Sequence, residues 1–281
     1  RDEHLQAAQH PQLAKAAPVA HEGALLRAVH WAVEDRDADA ARARLAELPQ
    51  GAARRTQALR LKLRAARLGD ATGEALETAR LLAKHRAFSP EASRSILRGL
   101  ALGALRQAHD LAQLQAVWAR LDAREQAMPE LVLAAAMRAN QLAVPGPQTS
   151  DADRATAAAR VRDWVGPLWD RWPELDPAQQ RQLVRALEPG LGSLDAGWLA
   201  RLEQTQRQLP SHPLLQYLAG QASMQRRLWG KAAQLLGQAS ASLRDEALLR
   251  STWCSLAVLA EQRGDEAAAQ AAWKRAALLG L

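Results

Sequence analysis

The sequence predicts an all-α fold, a solenoid of helical hairpins, and three observations carry that prediction: helix-forming composition, helical spacing of apolar residues, and regular turn punctuation. Among 281 residues, Gly contributes 16 and Pro 13, with one Phe and one Tyr. Ala, Leu, Arg and Gln fill the rest and lose little rotamer freedom in a helix. Val, Ile and Thr are too scarce to build a sheet.

Apolar residues recur at helical spacing in blocks that each end at a turn signal. The signals fall at Leu48-Pro49-Gln50-Gly51, Gly69-Asp70, Ser89-Pro90, Met128-Pro129, Pro145-Gly146-Pro147, Pro173, Pro189-Gly190, Pro210 to Pro213, Trp229-Gly230 and Arg263-Gly264-Asp265. Ser89 and Asp176 are expected to cap free N–H groups, each before a proline at the first helical position. About fourteen helices joined by short loops follow, which makes neighbours antiparallel.

A repeat is visible in the C-terminal part. Gly220, Ala232 and Ala239 take the small-residue positions where paired helices approach closely, and Ala257, Ala269 and Ala276 take the same three slots 37 residues on. Leu236 and Trp273 are expected to fill the adjoining hole. This is the pattern of tetratricopeptide (TPR) hairpins, which predicts a right-handed α-solenoid of TPR-like units. Weaker units centre on Ala40 and Ala75, and residues 110–125 read as another second helix. The expected organisation is an N-terminal half over 1–143, an irregular connecting unit over 144–175, and C-terminal repeats over 176–281, all in one continuous superhelix.

Charge and composition narrow the function. The formal charge is +7, yet thirty acidic residues are interspersed with the basic ones, so a nucleic-acid role is not expected. Cys254 is the one cysteine, which rules out an intramolecular disulfide and a multi-cysteine metal site. No run of about 18 apolar residues is present to span a membrane. The chain starts at Arg1 without an initiator Met or a signal-peptide pattern, as a piece of a longer protein would.

Catalytic and metal signatures are missing from the sequence. The histidines show no H-x-x-H, H-E-x-x-H or C-x-x-C-H spacing: His4, His10 and His21 lie in a weakly patterned segment, and His85, His109 and His212 near helix ends. No G-x-S-x-G elbow or phosphate-binding glycine loop occurs. Cys254 sits mid-helix beside Trp253, Leu256 and Ala257, as a buried thiol would. Trp118, Trp198 and Trp273 read as core, whereas Trp164, Trp169 and Trp172 are less obviously buried and are candidates for a binding surface.

Two candidate binding surfaces emerge. In TPR geometry the first helix of each hairpin lines the concave face. This selects Leu214, Tyr217, Gln221, Met224 and Gln225, and then Ser251, Cys254, Val258, Glu261 and Gln262; Leu214 and Val258 are assigned to packing against a neighbouring hairpin. The mixture of amide, aromatic and Met side chains suits a peptide or helix. Separately, Arg60, Arg64 and Arg67 follow i, i+4, i+7 spacing on one helix face. They read either as a solvated face or as a basic patch for lipid headgroups, an acidic partner or porphyrin carboxylates.

Leu228-Trp229-Gly230-Lys231-Ala232, followed by Leu235-Leu236 and Ala239-Ser240, resembles the C-terminal TPR block of HemY-type proteins. Arg54-Arg55-Thr56-Gln57-Ala58-Leu59-Arg60-Leu61-Lys62 is similar to a segment of that family's N-terminal region, and Arg263-Gly264-Asp265 with the helix Ala269 to Leu279 also fits. These are proteobacterial inner-membrane proteins associated with late protohaem synthesis. The resemblance implies a membrane hairpin preceding Arg1, with these residues on the cytoplasmic side. It implies a non-enzymatic scaffold for partner proteins, haem-biosynthesis enzymes among them, with no resident cofactor; the alternative is a carrier that takes haem or porphyrin as ligand. The flavin-dependent protoporphyrinogen oxidase that shares the family's name is not indicated, because no G-x-G-x-x-G follows a strand.

Overall fold

A computed structural model describes residues 17–144 and 150–279. Sixteen α-helices occur among the described residues, with no strand. The early histidines His4 and His10 and the Pro145-Gly146-Pro147 signal lie outside the described residues. The chain divides into two units, Arg1–Gln126 and Ala127–Leu281.

The first unit contains α1 (Pro18–Glu34), α2 (Ala38–Ala46), the short α3 (Gln50–Ala53), α4 (Thr56–Leu68), α5 (Thr72–Lys84), α6 (Pro90–Gln107), α7 (Leu111–Ala119) and the short α8 (Ala123–Gln126). Helices α1 and α2 pair as a hairpin, as do α4 and α5, and α5 also packs on α6. Ala41 and Ala75, both fully buried, hold the close approach in the second helices of the first two hairpins, 34 residues apart. The small residue of α2 is therefore Ala41 rather than the expected Ala40, which is half-buried. Val29 and Leu61 close over Ala41, while Leu59, Leu63 and Leu82 gather around Ala75.

The second unit contains α9 (Pro129–Leu142), α10 (Asp151–Trp169), α11 (Pro177–Leu187), α12 (Ala196–Gln208), α13 (Pro213–Gln225), α14 (Trp229–Ser242), α15 (Glu246–Gln262) and α16 (Glu266–Leu278). Short 3-10 segments at Trp172–Glu174 and Glu188–Ser193 flank α11. Ser150 starts α10 through a reciprocal capping box with Asp153. Asp176 caps α11 in the same way with Gln179, and Pro177 occupies the first helical position. In the first unit Ser89 likewise caps α6 ahead of Pro90.

The hairpin α13/α14 owes its tightness to one missing side chain. A Cβ on Gly220 would lie 2.7 Å from Leu236 Cγ and 3.3 Å from the Leu236 backbone nitrogen. Ala232, Ala239, Ala257, Ala269 and Ala276 are all buried, as the repeat predicted, and so is Leu236. Trp273 departs from expectation: it is 41% exposed and its indole donates to Glu261 at 2.7 Å. It lies on α16, which packs against α15 and is the last helix among the described residues.

Five turns share one device. Arg36, Asp70, Arg86, Arg227 and Gly264 adopt the left-handed conformation, with φ of 59, 51, 54, 58 and 72°. After each, the next N–H reaches back five residues, as from Leu228 to Ser223 O (2.9 Å) and from Asp265 to Ala260 O (3.0 Å). This is the Schellman closure, which satisfies helix-end carbonyls. Glycine serves at one of these sites only. The α13/α14 turn therefore sits at Arg227, and the expected signal Trp229-Gly230 instead lies inside the start of α14.

Candidate functional site

In the first unit, the first helices of consecutive hairpins line a groove of about 1010 Å³. From α1 it takes Gly23, Leu26, Arg27 and His30, one stripe at i, i+3, i+4 and i+7. From α4 it takes Gln57, Arg60, Leu61 and Arg64, with Thr56, Leu63 and Arg67 completing that wall. Phe88 and Ile96 close the far side. Gly23 and Gln57, Leu26 and Arg60, Arg27 and Leu61, His30 and Arg64 are each 34 residues apart. The two walls are thus the same helix face in successive repeats.

The groove's charge is one-sided. Its lining holds four arginines and a histidine and no Asp or Glu. The acidic residues that flank the α1 stripe are engaged, Glu22 with Arg55 at 2.9 Å and Glu34 with His30 at 3.1 Å. Arg60 donates to the Ala87 carbonyl at 3.1 Å, which anchors the start of α6. The side chains of Arg64 and Arg67 are exposed and make no ion pair or hydrogen bond among the described residues. Clustered guanidinium groups raise the local positive potential, and their planar donor forks match carboxylates. The floor is apolar, with Leu61 and Leu63 buried and Leu26, Phe88 and Ile96 half-buried. Such a surface is complementary to a group that is acidic on one side and apolar on the other.

The predicted strip in the second unit is arranged differently. Tyr217 is fully buried, so it is not an outward-facing binding residue. Its hydroxyl donates to the Glu188 carboxylate and lies 2.9 Å from Ser251 Oγ. Gln221 Nε2 donates to Ser255 Oγ at 2.9 Å, and that hydroxyl donates back to Gln221 Oε1 at 3.2 Å. These side chains weld α13 to α15, because the i, i+4 stripe that leaves one first helix meets the next first helix before it meets solvent. Burial, then the charge of Glu188 and its hydrogen bond, push the Tyr217 phenol well above the usual tyrosine range. Leu214 is buried and Val258, Ser251, Cys254 and Met224 are half-buried. Gln225, Glu261 and Gln262 are exposed, but Glu261 is held by Trp273.

The tryptophan assignments are exchanged. Trp164, Trp169 and Trp172 are buried rather than lining a surface. Trp169 packs on Trp172 with centroids 5.2 Å apart and on Trp198 at 6.0 Å, and its indole donates to Thr205 at 3.1 Å. Trp118 and Trp198, expected in the core, are half-buried, and Arg201 covers the Trp198 ring at 4.7 Å. Trp164 and Trp169 lie on the buried face of α10 itself, and the 3-10 turn that begins at Trp172 sets that ring against Trp169. His212 stands edge-on to Trp172 at 5.4 Å, and burial holds its imidazole below the usual histidine range.

No cluster of His, Cys, Asp and Glu able to hold a metal occurs among the described residues, and no helix there is long and apolar enough to cross a membrane. The fold and groove define an all-α helical-repeat protein with a basic, apolar-floored cleft. No protein-family model matches the chain, and no curated protein sequence matches it. Among solved structures, the apo form of RapI is similar at a TM-score of 0.46 and 11% identity, covering 92% of this chain and 76% of that one.

Proposed function

We propose that the chain is a non-enzymatic scaffold that holds a partner protein in the groove between α1 and α4. One observation carries this reading: Arg27, Arg60, Arg64 and Arg67 converge on an apolar floor without an acidic residue in the lining. Exposed like charges of this density favour the free protein only weakly, and an anionic ligand relieves their repulsion. The resemblance to HemY-type proteins extends the proposal: the scaffold belongs at the bacterial inner membrane, anchored by residues preceding Arg1, and serves enzymes of late haem synthesis.

A photo-crosslinking residue at Gln57, in the groove, is compared with one at Gln262, on the second unit. Adducts to a partner protein are expected from Gln57, and their loss is expected when Arg64 and Arg67 are both replaced by Glu. Equal capture from both positions, unaffected by those replacements, would sink the proposal. The same arginines above an apolar floor also favour a second reading, a carrier for a porphyrin whose carboxylates meet them. A shifted haem Soret band that disappears in the Arg64→Glu/Arg67→Glu variant would select the carrier over the scaffold.

A further inference from the structure

We infer that the groove recognises an acidic amphipathic α-helix of the partner, lying along α4 with carboxylates at i, i+4 and i+7. The inference rests on the scaffold reading above and names the shape and charge pattern of its occupant. Arg60, Arg64 and Arg67 climb one face of α4, at steps of about 6 and 10.5 Å from the first, given a rise of about 1.5 Å per residue. A helix running alongside presents side chains at i, i+4 and i+7 with the same steps on one face. An extended segment cannot do so. At about 3.3 Å per residue its positions i and i+2 meet the first two arginines, but i+3, the one at the right height for the third, points to the opposite side.

The size of the groove agrees. Two turns of helix, with a diameter of about 10–12 Å, fill about 800–1200 Å³, against about 1010 Å³ here. The apolar floor supplies the other half of the pattern. Leu26 and Leu63 lie beside the arginine row and Phe88 with Ile96 at its end, so the stripe of the ligand next to its carboxylates must be apolar. Arg27 and His30 on the opposite wall face the ligand's second flank and give acidic residues there a further partner.

The test uses the full 281-residue chain and fluorescein-labelled peptides followed by anisotropy. One peptide carries Glu at i, i+4 and i+7 and Leu at i+1, i+5 and i+8, and is locked helical by a staple on its outer side. A second has the same composition with a central proline, and a third replaces each Glu by Lys. The stapled acidic peptide is expected to bind, the proline peptide at least about tenfold more weakly, and the Lys peptide not at all. Arg64→Ala and Arg67→Ala, neither of which breaks an interaction within the protein, are each expected to weaken binding by about fivefold. Arginine-dependent binding of equal strength for the stapled and proline peptides would overturn the helical inference and leave the groove standing as a site. Binding unaffected by either arginine would overturn both. Failure of the stapled acidic peptide to bind, or dimerisation of the chain that depends on Arg64 and Arg67 and excludes the peptide, would overturn the helix as occupant.

Discussion

Replacing Gly220 by Ala perturbs one atom at the closest point of the α13/α14 hairpin. In an open helix interior this change stabilises, because Ala loses less backbone entropy, by about 0.5–1 kcal/mol. At Gly220 the added methyl would sit 2.7 and 2.8 Å from two carbons of Leu236 and 3.3 Å from its backbone nitrogen. Leu236 is itself fully buried and cannot swing away, and its backbone is fixed within α14. Overpacking of this kind costs about 1–3 kcal/mol. Subtracting the propensity gain leaves a net loss centred on about 1 kcal/mol. Gly99, mid-helix in α6 with nothing within 4 Å of its would-be Cβ, is the control. Gly99→Ala should be stabilising by about 0.5–1 kcal/mol. Urea unfolding followed by helical circular dichroism reads both, and the midpoints should move in opposite directions with little change in slope. A Gly220→Ala midpoint raised as far as that of Gly99→Ala would refute the close approach, and with it the repeat register assigned to this hairpin.

Tyr217→Phe should cost about 1.5–3 kcal/mol, because it removes a donor from the Glu188 carboxylate, and Tyr217→Ala about 3–5 kcal/mol through the cavity it leaves. Neither should change the affinity of the groove for the acidic peptide; unaltered stability in the Phe variant would show the buried bond to be unimportant. Arg227→Gly should raise stability by about 0.5–1 kcal/mol, since it relieves a left-handed residue with a Cβ at an exposed turn. Thermal melting that leaves Arg227→Gly level with or below the wild type would argue against that turn geometry.

These positions also show how far the fold could be read from residues alone. Ser89 and Asp176 were legible as helix starts because a side-chain oxygen followed by proline satisfies and pre-sets the first turn. Gly220 and Gly264 were legible because each marks a place where a Cβ is excluded or strained. The Arg227 turn was not, since arginine carries no turn signal and Schellman closure is made by backbone atoms; the nearest glycine, Gly230, drew the reading into α14. Arg60, Arg64 and Arg67 announced the basic wall of the groove by their spacing. The α1 wall stayed hidden, because the repeat matches Gly23 with Gln57, Leu26 with Arg60 and Arg27 with Leu61, pairs that share a place and no chemistry. Tyr217 shows the complementary failure. Helical periodicity identified its stripe, but periodicity cannot tell a face turned to solvent from a face turned to the next helix.

What the two stripes meet decides which of them can bind. Between α13 and α15, an aromatic hydroxyl and an amide face two serines, so size and hydrogen-bonding capacity complement each other and the seam closes on itself. Between α1 and α4, His30 is matched with Arg64, and Arg27, Arg60 and Arg67 add three more guanidinium donors, with Thr56 and Gln57 the neutral polar residues of the lining. Donors cannot satisfy donors. Two guanidinium groups brought together would lose hydration without gaining a partner, which costs more than the contact between their stems returns. The arginines consequently stay on the exposed part of the two faces, while Leu26 and Val29 of α1 pack with Leu61 of α4 beneath them. A carboxylate ligand would supply the anionic acceptor that neither wall possesses, while its apolar side would cover Leu26, Leu63 and Phe88. The lining gathers cations without an anion among them, and the proposed ligand is the one whose chemistry supplies it.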